Sequence, residues 1–125
     1  MTKVAKRILV VDDDPEMCAS LRRVLYMIGN FVVETANDGL SALRMIADSK
    51  PDLVLLDIRM PGMDGYDVCR SIRETISDPI KILVVSGVLD TAEMERMMEL
   101  GADDYLAKPF HNESLLMKLT RFFSN

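Results

Sequence analysis

The amino-acid sequence contains no tryptophan, one histidine and two cysteines, and aromatic residues make up 6% of its 125 residues. Cys18 and Cys69 lie far apart in unrelated local contexts, which favours two reduced thiols in a cytosolic protein over a disulfide. No apolar stretch approaches the roughly 20 residues that a membrane helix needs, and the N-terminus leads straight into a strand-like run. We therefore expect neither a membrane-spanning helix nor a signal peptide.

Positive charge is also scarce, because 15 Lys and Arg residues stand against 20 Asp and Glu residues and give a formal net charge of −5. A weakly acidic chain is a poor candidate for nonspecific binding to nucleic acid or to a membrane surface, so we expect neither as a direct partner. Hydrophobic residues make up 49% and charged residues 28% of the chain, which is ordinary for a globular protein. The length predicts one domain over residues 1–125 that needs no metal or disulfide to fold.

Short apolar runs alternate along the chain with longer segments of helical periodicity. The runs consist of β-branched residues and leucines bounded by Asp, Gly or Pro, a pattern typical of strands buried on both faces. Five such strands alternating with five helices predict an α/β fold with a parallel sheet covered on both sides. The predicted strands cover residues 8–11, 31–33, 53–56, 80–85 and 105–106. The first predicted helix begins at Asp14 and Pro15 and ends at Gly29, and the others cover residues 39–48, 65–73, 91–100 and a last segment that begins at residue 111 or 112. In the second helix we expect Leu40, Leu43, Ile46 and Ala47 to face inward.

Polar side chains close four of these strands. In an open parallel sheet the functional crevice lies beyond the carboxyl ends of the strands, so four separate segments deliver polar groups to one edge. These groups are Asp12, Asp13 and Asp14 after the first strand, Asp57 after the third, Ser86 and Gly87 after the fourth, and Lys108 after the fifth. Asp14 precedes Pro15 and is better explained as a helix cap than as a metal ligand.

Asp12, Asp13 and Asp57 would lie close together if the first and third strands are neighbours. Two like charges about 4 Å apart repel each other by about 4 kcal/mol at an effective dielectric constant of about 20, so such a cluster must bind protons, a cation or both. Carboxylate oxygens without an accompanying His or Cys favour a hard ion, Mg²⁺ before Ca²⁺, that retains several waters. The sequence therefore predicts a magnesium site at this edge.

Asp57 stands alone at the end of its strand, where a carboxylate can act as a nucleophile on phosphorus and form an aspartyl phosphate. Phosphoryl transfer depends mainly on positioning and on the neutralisation of charge. Lys108 can place its ammonium on a phosphoryl oxygen and can pair with Asp57 before phosphorylation. Ser86 offers a hydroxyl donor, and the backbone of Gly87 can approach closely because glycine has no Cβ.

Four motifs together resemble one protein family. They are residues 10–13 (Val-Val-Asp-Asp), 56–65 (Leu-Asp-Ile-Arg-Met-Pro-Gly-Met-Asp-Gly), 85–87 (Val-Ser-Gly) and 101–110 (Gly-Ala-Asp-Asp-Tyr-Leu-Ala-Lys-Pro-Phe). Through them the chain resembles, along its whole length, a bacterial two-component response-regulator receiver domain of the chemotaxis type. The resemblance implies a single doubly wound, flavodoxin-like sheet with the strand order 2-1-3-4-5.

The resemblance also implies a role for each site residue. Asp57 would be the phosphoacceptor, Asp13 would bind Mg²⁺ directly, and Asp12 would do so mostly through water. The backbone carbonyl of Arg59 would complete the protein ligands of the ion together with Asp57. Ser86 would grip the phosphoryl group, Lys108 would pair with it, and the Lys108–Pro109 bond would be cis.

Tyr105 has two interpretations. It can be an amphipathic ring at the edge of a strand, with one side packed against the protein and the other exposed to solvent. In the family that the chain resembles, the aromatic residue at this place turns inward on phosphorylation, when the hydroxyl at the position of Ser86 moves toward the phosphate. We favour this switch, which would reshape the face made by the fourth helix, fifth strand and fifth helix, because added charge can bias a two-state element. Of Met94, Met97 and Met98 on the fourth helix, at least one should face the sheet, and the others would suit a partner surface.

The sequence thus predicts a phosphorylation-dependent signalling switch. A sensor histidine kinase or phosphotransfer protein would supply the phosphoryl group, and the reshaped face would contact a downstream output domain or target, or a second copy in a dimer. We expect a cytoplasmic protein that assists its own phosphorylation and dephosphorylation but is not an enzyme with a metabolite substrate. Arg59 and Val88, two residues after Asp57 and Ser86, would flank the route of an attacking water, and we favour a long-lived phosphoryl group.

Three alternatives differ in their chemistry. A haloacid-dehalogenase-type Mg²⁺-dependent phosphatase would use Asp12 as its nucleophile, because Asp12-x-Asp14 after an apolar strand resembles its opening motif. Pro15 and Glu16 depart from the Thr or Val usual there, and 125 residues leave little room for a substrate cap. A flavodoxin-like cofactor carrier is disfavoured because three carboxylates would repel a phosphate. A phosphorylation-independent interaction module would be expected to lack part of the acid, lysine and serine set, which is complete here.

Overall fold

The computed structural model describes residues 5–87 and 90–123, in which five strands and five helices alternate. The strands are β1 (Lys6–Val11), β2 (Phe31–Ala36), β3 (Leu53–Leu56), β4 (Lys81–Ser86) and β5 (Asp104–Ala107). The helices are α1 (Pro15–Ile28), α2 (Gly39–Ser49), α3 (Gly65–Thr75), α4 (Thr91–Glu99) and α5 (Asn112–Phe123). No helix within these ranges is both long and apolar enough to cross a membrane.

The five strands form one parallel sheet in the order β2-β1-β3-β4-β5, which confirms both the fold class and the order that the resemblance implied. β1 pairs with β2 up to Val11 opposite Ala36, and with β3 up to Val11 opposite Leu56. From β1 the chain continues to β2 on one side, and from β3 it continues to β4 and β5 on the other side, so the direction in which strands are added reverses between β1 and β3. Such a reversal point is where an open sheet of this kind opens a crevice for a ligand.

Two apolar cores cover the two faces of the sheet. Alternate residues of a strand point to opposite faces, so Leu9 and Val11 pack with α2, α3 and Met97 of α4, whereas Ile8 and Val10 pack with α1 and α5. All four residues of β3 are buried, as expected for a central strand covered on both sides. The sheet is therefore covered on both faces, and its carboxyl edge carries the polar groups.

Aspartate side chains cap the N-termini of four helices. Each accepts a hydrogen bond from a backbone N–H of the first turn, which satisfies a donor that has no partner within the helix. The pairs are Asp14 with Glu16, Asp38 with Ser41, Asp64 with Asp67, and Asp90 with Glu93. This confirms Asp14 as a cap, and it gives the other three aspartates the same structural role at the start of a helix.

The structure differs from the sequence prediction at two elements. β2 continues beyond residue 33 to Ala36, because an edge strand tolerates the half-buried polar side chains that interrupt its apolar run. The prediction that Leu40 and Ala47 face inward in α2 is wrong, since Leu40 is 52% exposed and Ala47 is also exposed. The buried stripe of α2 instead contains Gly39, Ala42 and Ile46, which follow one another at helical spacing.

Candidate functional site

The carboxyl ends of β1 and β3 bring three carboxylates together. Backbone pairing continues past the strands: the Asp57 N–H donates to the Val11 carbonyl at 3.0 Å and the Asp12 N–H donates to the Ala36 carbonyl at 3.1 Å. One carboxylate oxygen each from Asp12, Asp13 and Asp57 lies within 4.8 Å of the other two. The predicted juxtaposition of these three acids at neighbouring strands is therefore present.

Asp12 is the most tightly held of the three acids. Its Oδ1 accepts a hydrogen bond from the Asp14 N–H at 3.0 Å, and its Oδ2 accepts one from Lys108 Nζ at 2.6 Å. We expected Lys108 to pair with Asp57, but its ammonium pairs with Asp12. Asp12 is only 3% exposed, and a carboxylate this deeply buried needs a charged partner to offset the loss of its hydration.

Two residues that the sequence did not single out fix the backbone of Asp12. Asn37 Nδ2 donates to the Asp12 carbonyl at 3.0 Å, and Cys18 Sγ donates to the same oxygen at 3.4 Å. Burial, followed by the charge of Asp12, raises the pKa of the Cys18 thiol, so Cys18 remains a neutral donor. No sequence pattern indicates these contacts, because they join α1 and the loop after β2 to the end of β1 only in the folded chain.

Burial raises the pKa of Asp57 above its ordinary value of 3.8, and the charges of Asp12 and Asp13 add to this effect. The Lys108 ammonium and a hydrogen bond from the Ile58 backbone act in the opposite direction. The ionised cluster is therefore under mutual repulsion. A bound cation would relieve this repulsion, and an all-carboxylate donor set fits a hard ion such as Mg²⁺.

The raised pKa of Asp57, caused mainly by burial and increased by the charges of Asp12 and Asp13, predicts that the Asp57→Asn variant is more stable than the wild type when divalent cations are absent. The folded protein retains the Asp57 proton to higher pH than the unfolded chain does, so wild-type stability falls as the pH rises from 3.8 through the folded pKa. We expect Asp57→Asn to raise the free energy of unfolding by about 1 kcal/mol near pH 7, a typical size for one substitution. The gain should shrink toward pH 4.

Urea unfolding in EDTA across this pH range measures the difference. Asp38→Asn is the opposite case, because hydrogen bonds from the Ser41 backbone and hydroxyl lower the pKa of that capping residue, and we expect it not to stabilise the protein. An Asp57→Asn variant that is less stable than the wild type at neutral pH, or a gain that does not depend on pH, would contradict a raised pKa at Asp57.

The ends of β4 and β5 place Ser86 and Lys108 at the same edge of the sheet. The Lys108 N–H donates to the Ser86 carbonyl at 2.9 Å, and the Lys108–Pro109 bond is cis, as the resemblance implied. Among the residues described, the buried polar or charged ones are Asp12, Asp57 and Ser86, all of which the sequence had assigned to the site. Buried polar groups are costly, so their concentration at one edge makes that edge the candidate functional site.

Arg59 directs its side chain toward α4. Its Nη2 donates to both carboxylate oxygens of Glu93, at 3.0 and 2.8 Å. No sequence pattern indicates this contact, because Glu93 looks like an ordinary acidic residue in the first turn of a helix. The use of the Arg59 carbonyl as a metal ligand stays a prediction, and Val88 lies outside the described residues.

The face formed by α4, β5 and α5 carries exposed apolar side chains. Tyr105 is 40% exposed, and Lys118 Nζ lies 5.7 Å from the centre of its ring. Met97 is buried while Met98 is 44% exposed, which confirms that one methionine of α4 faces the sheet and another reaches solvent. The ring of Tyr105 is thus exposed to solvent, with Lys118 as its neighbour, and its role as a switch stays a prediction.

Comparisons with known proteins agree with this geometry. Residues 8–120 match the family model described as the response regulator receiver domain. The response regulator MprA of Mycobacterium ulcerans is 48% identical over 113 residues, which cover 90% of this chain and 48% of that protein. The chain therefore spans about half the length of the curated relatives it matches.

Two solved structures are similar over nearly the whole chain. The receiver domain of a response regulator from Bermanella marisrubri is 44% identical with a TM-score of 0.86, over 95% of this chain and 98% of that one. The BeF₃-activated receiver domain of DrrB, a Thermotoga maritima protein, is 30% identical with a TM-score of 0.86, over 98% and 100% of the two chains. None of these relatives supports the phosphatase alternative. Fold, sequence likeness and the acidic edge of the sheet agree that the chain belongs to the response regulator receiver domain family, the signalling modules of two-component systems.

Proposed function

We propose that the chain, as a single receiver domain over residues 1–125, accepts a phosphoryl group on Asp57 and so alters the surface that a downstream partner contacts. The observation that carries this proposal is the cluster of three carboxylates within 4.8 Å of one another. The ammonium of Lys108 lies beside this cluster and forms an ion pair with Asp12. The donor would be the phosphohistidine of a sensor kinase or of a phosphotransfer protein.

The transfer would move one phosphoryl group from nitrogen to oxygen. A carboxylate oxygen of Asp57 would bond to phosphorus as the N–P bond of the phosphohistidine breaks, and the leaving imidazole would take up a proton from solvent. The charge of Lys108 limits the rise in the pKa of Asp57, and its ammonium would pair with a phosphoryl oxygen once the group is transferred. Ser86, buried at the end of β4, would donate its hydroxyl to another.

Asp12, Asp13 and Asp57 would hold a Mg²⁺ ion together with the carbonyl of Arg59. Bound there, Mg²⁺ supplies positive charge that offsets the repulsion among the carboxylates and the charge of the phosphoryl group. The donor set supports this assignment, because the three clustered side chains offer only oxygen. Water-mediated dephosphorylation would use the same groups, so the domain would assist its own chemistry without a metabolite substrate.

The reshaped surface would be the face of α4, β5 and α5. Its exposed apolar side chains include Met98, Tyr105 and Leu116, and the ring of Tyr105 would turn inward when Asp57 is phosphorylated. This face would contact an output domain, a separate target or a second copy of the chain. An output region beyond this chain is supported by the greater length of the curated relatives. We propose a cytoplasmic location, in line with two free, buried thiols.

Incubation with acetyl phosphate and Mg²⁺, followed by mass spectrometry, tests the acceptor. We expect the mass of one HPO₃ group on Asp57, and none when Asp57 is replaced by Asn or when EDTA removes the metal. Asp48→Asn, a change at an exposed residue of α2, is the matched control and should be labelled like the wild type. Hydrogen exchange on the labelled protein should change in α4 and at Tyr105.

Three results would contradict this proposal. Undiminished labelling of the Asp57→Asn variant would move the acceptor elsewhere, and a label on Asp12 would favour the phosphatase alternative. Exchange changes confined to the loop that contains Asp57 would remove the proposed role of Tyr105, because a switch at β5 must alter the protection of β5 itself.

A further inference from the structure

Glu93 in the first turn of α4 binds the side chain of Arg59. Both carboxylate oxygens accept hydrogen bonds from Arg59 Nη2, at 3.0 and 2.8 Å. The Tyr66 hydroxyl lies 3.5 Å from Glu93 Oε2, and the guanidinium of Arg96 lies 3.9 Å from the centre of the Tyr66 ring. Among the described residues, Arg59–Glu93 is the ion pair that joins the loop after β3 to α4.

Arg59 is also close to the phosphoacceptor in the chain. Two residues span at most about 7 Å of extended backbone, so a guanidinium that leaves Glu93 can remain near a group attached to Asp57. A phosphoryl group carries a charge of about −1.5 to −2 and three acceptor oxygens, and arginine binds such groups through paired hydrogen bonds. Glu93 offers a single negative charge, so the phosphoryl group is the stronger competitor for Arg59.

Resting on the proposed function, we propose that Glu93 is a positioning residue that keeps the Arg59 guanidinium on α4 while Asp57 is unmodified, and that Arg59 moves from Glu93 to the phosphoryl group on phosphorylation. Loss of the ion pair then releases the first turn of α4 from the loop after β3. The contact between Tyr66 and Arg96 remains as a second link between α3 and α4.

This competition predicts effects of opposite sign for the two partners. Glu93→Gln removes an interaction present only before phosphorylation, so it should favour binding at Asp57. Arg59→Met removes the guanidinium that moves to the phosphoryl group, so it should disfavour binding. Because a partly exposed ion pair has a modest strength, we expect a change in affinity of about two- to fivefold in each direction. A purely structural ion pair would shift both variants the same way.

The test uses beryllofluoride with Mg²⁺ as the phosphoryl mimic and measures its Kd by NMR titration of the intact chain. Glu93→Gln should lower the Kd, Arg59→Met should raise it, and the double variant should match Arg59→Met. Tyr66→Phe keeps the ring under Arg96 and removes only the longer hydrogen bond, so it should leave the Kd unchanged. Glu95→Gln, on an exposed residue of the same helix, is the second control.

Hydrogen exchange of the unmodified protein gives an independent readout. Glu93→Gln should speed exchange in the first turn of α4 severalfold in the wild-type background but not in Arg59→Met. Kd shifts of the same sign in the two single variants, or a Glu93→Gln effect that persists without Arg59, would overturn the inference. If beryllofluoride fails to bind the wild type, or binds Asp57→Asn equally well, the proposed function itself fails and this inference falls with it.

Discussion

Replacing Lys108 by methionine should lower the free energy of unfolding by about 3 kcal/mol at neutral pH in EDTA. Lys108 Nζ lies 2.6 Å from Asp12 Oδ2, and the two side chains are 18% and 5% exposed. Removing one partner of a buried ion pair leaves the other charge uncompensated, which costs about 3–5 kcal/mol. Methionine fills most of the space of the lysine stem, so the loss reports on charge more than on packing.

A second substitution separates charge from shape. In an Asp12→Asn background the same Lys108→Met change should cost about 1 kcal/mol or less, because no buried carboxylate is then left without its partner. Lys81→Met is the matched control, since Lys81 is half exposed and lies 3.9 Å from Asp103, and it should change stability by less than about 0.5 kcal/mol. Urea unfolding measures all four variants. An equal cost in both backgrounds would show that the pair with Asp12 does not stabilise the fold.

Gly65→Ala should be almost as damaging, and its effect should reach the site directly. A Cβ at Gly65 would lie 2.5 Å from the carbonyl oxygen of Asp57 and 2.7 Å from Cα of Ile58. Both contacts are with backbone, so either α3 or the end of β3 must move. Overpacking of this kind costs about 1–3 kcal/mol, and the displaced Asp57 should bind beryllofluoride with Mg²⁺ more weakly by about tenfold.

Gly87→Ala is the matched control for stability. Gly87 also borders the site, but a Cβ there would meet none of the described residues within 4 Å, so we expect a change within about 0.5 kcal/mol. Thermal or urea unfolding of the two variants, with a beryllofluoride titration of Gly65→Ala, provides the comparison. If Gly65→Ala matched the wild type in stability and affinity, the close approach of α3 to Asp57 would have no part in positioning the acceptor.

The central strands and the acids of the site could be predicted from the sequence because burial restricts which residue types occur at those positions. β3 is apolar at every position, and the polar residues that end β1, β3 and β4 interrupt runs that are otherwise uniformly hydrophobic. The end of β2 was missed because a strand at the edge of a sheet keeps polar side chains half exposed. The order of the strands came only from the resemblance, since periodicity says which face a residue occupies but not which strand lies beside it.

The pairing of charges could not be predicted, for a different reason. Asp12 and Lys108 are separated by 96 positions, and Arg59 and Glu93 by 34. Each pair depends on where two elements meet in three dimensions and on which carboxylate is the more deeply buried. A local pattern contains neither quantity, so the sequence identified Lys108 but assigned it to Asp57 instead of Asp12, and it did not identify Glu93 as the partner of Arg59.

All nine residues of α4 are described, and Met97 is the one that is buried. Withdrawing one methionine side chain from an apolar environment costs about 1.5–3 kcal/mol, and coupling free energies between distant sites are typically about 1–3 kcal/mol. A coupling free energy of this size is thus similar to the free energy that the burial of Met97 contributes to holding α4 on the sheet. Of the five helices, α4 has the fewest buried residues, so the least burial free energy opposes its displacement from the sheet.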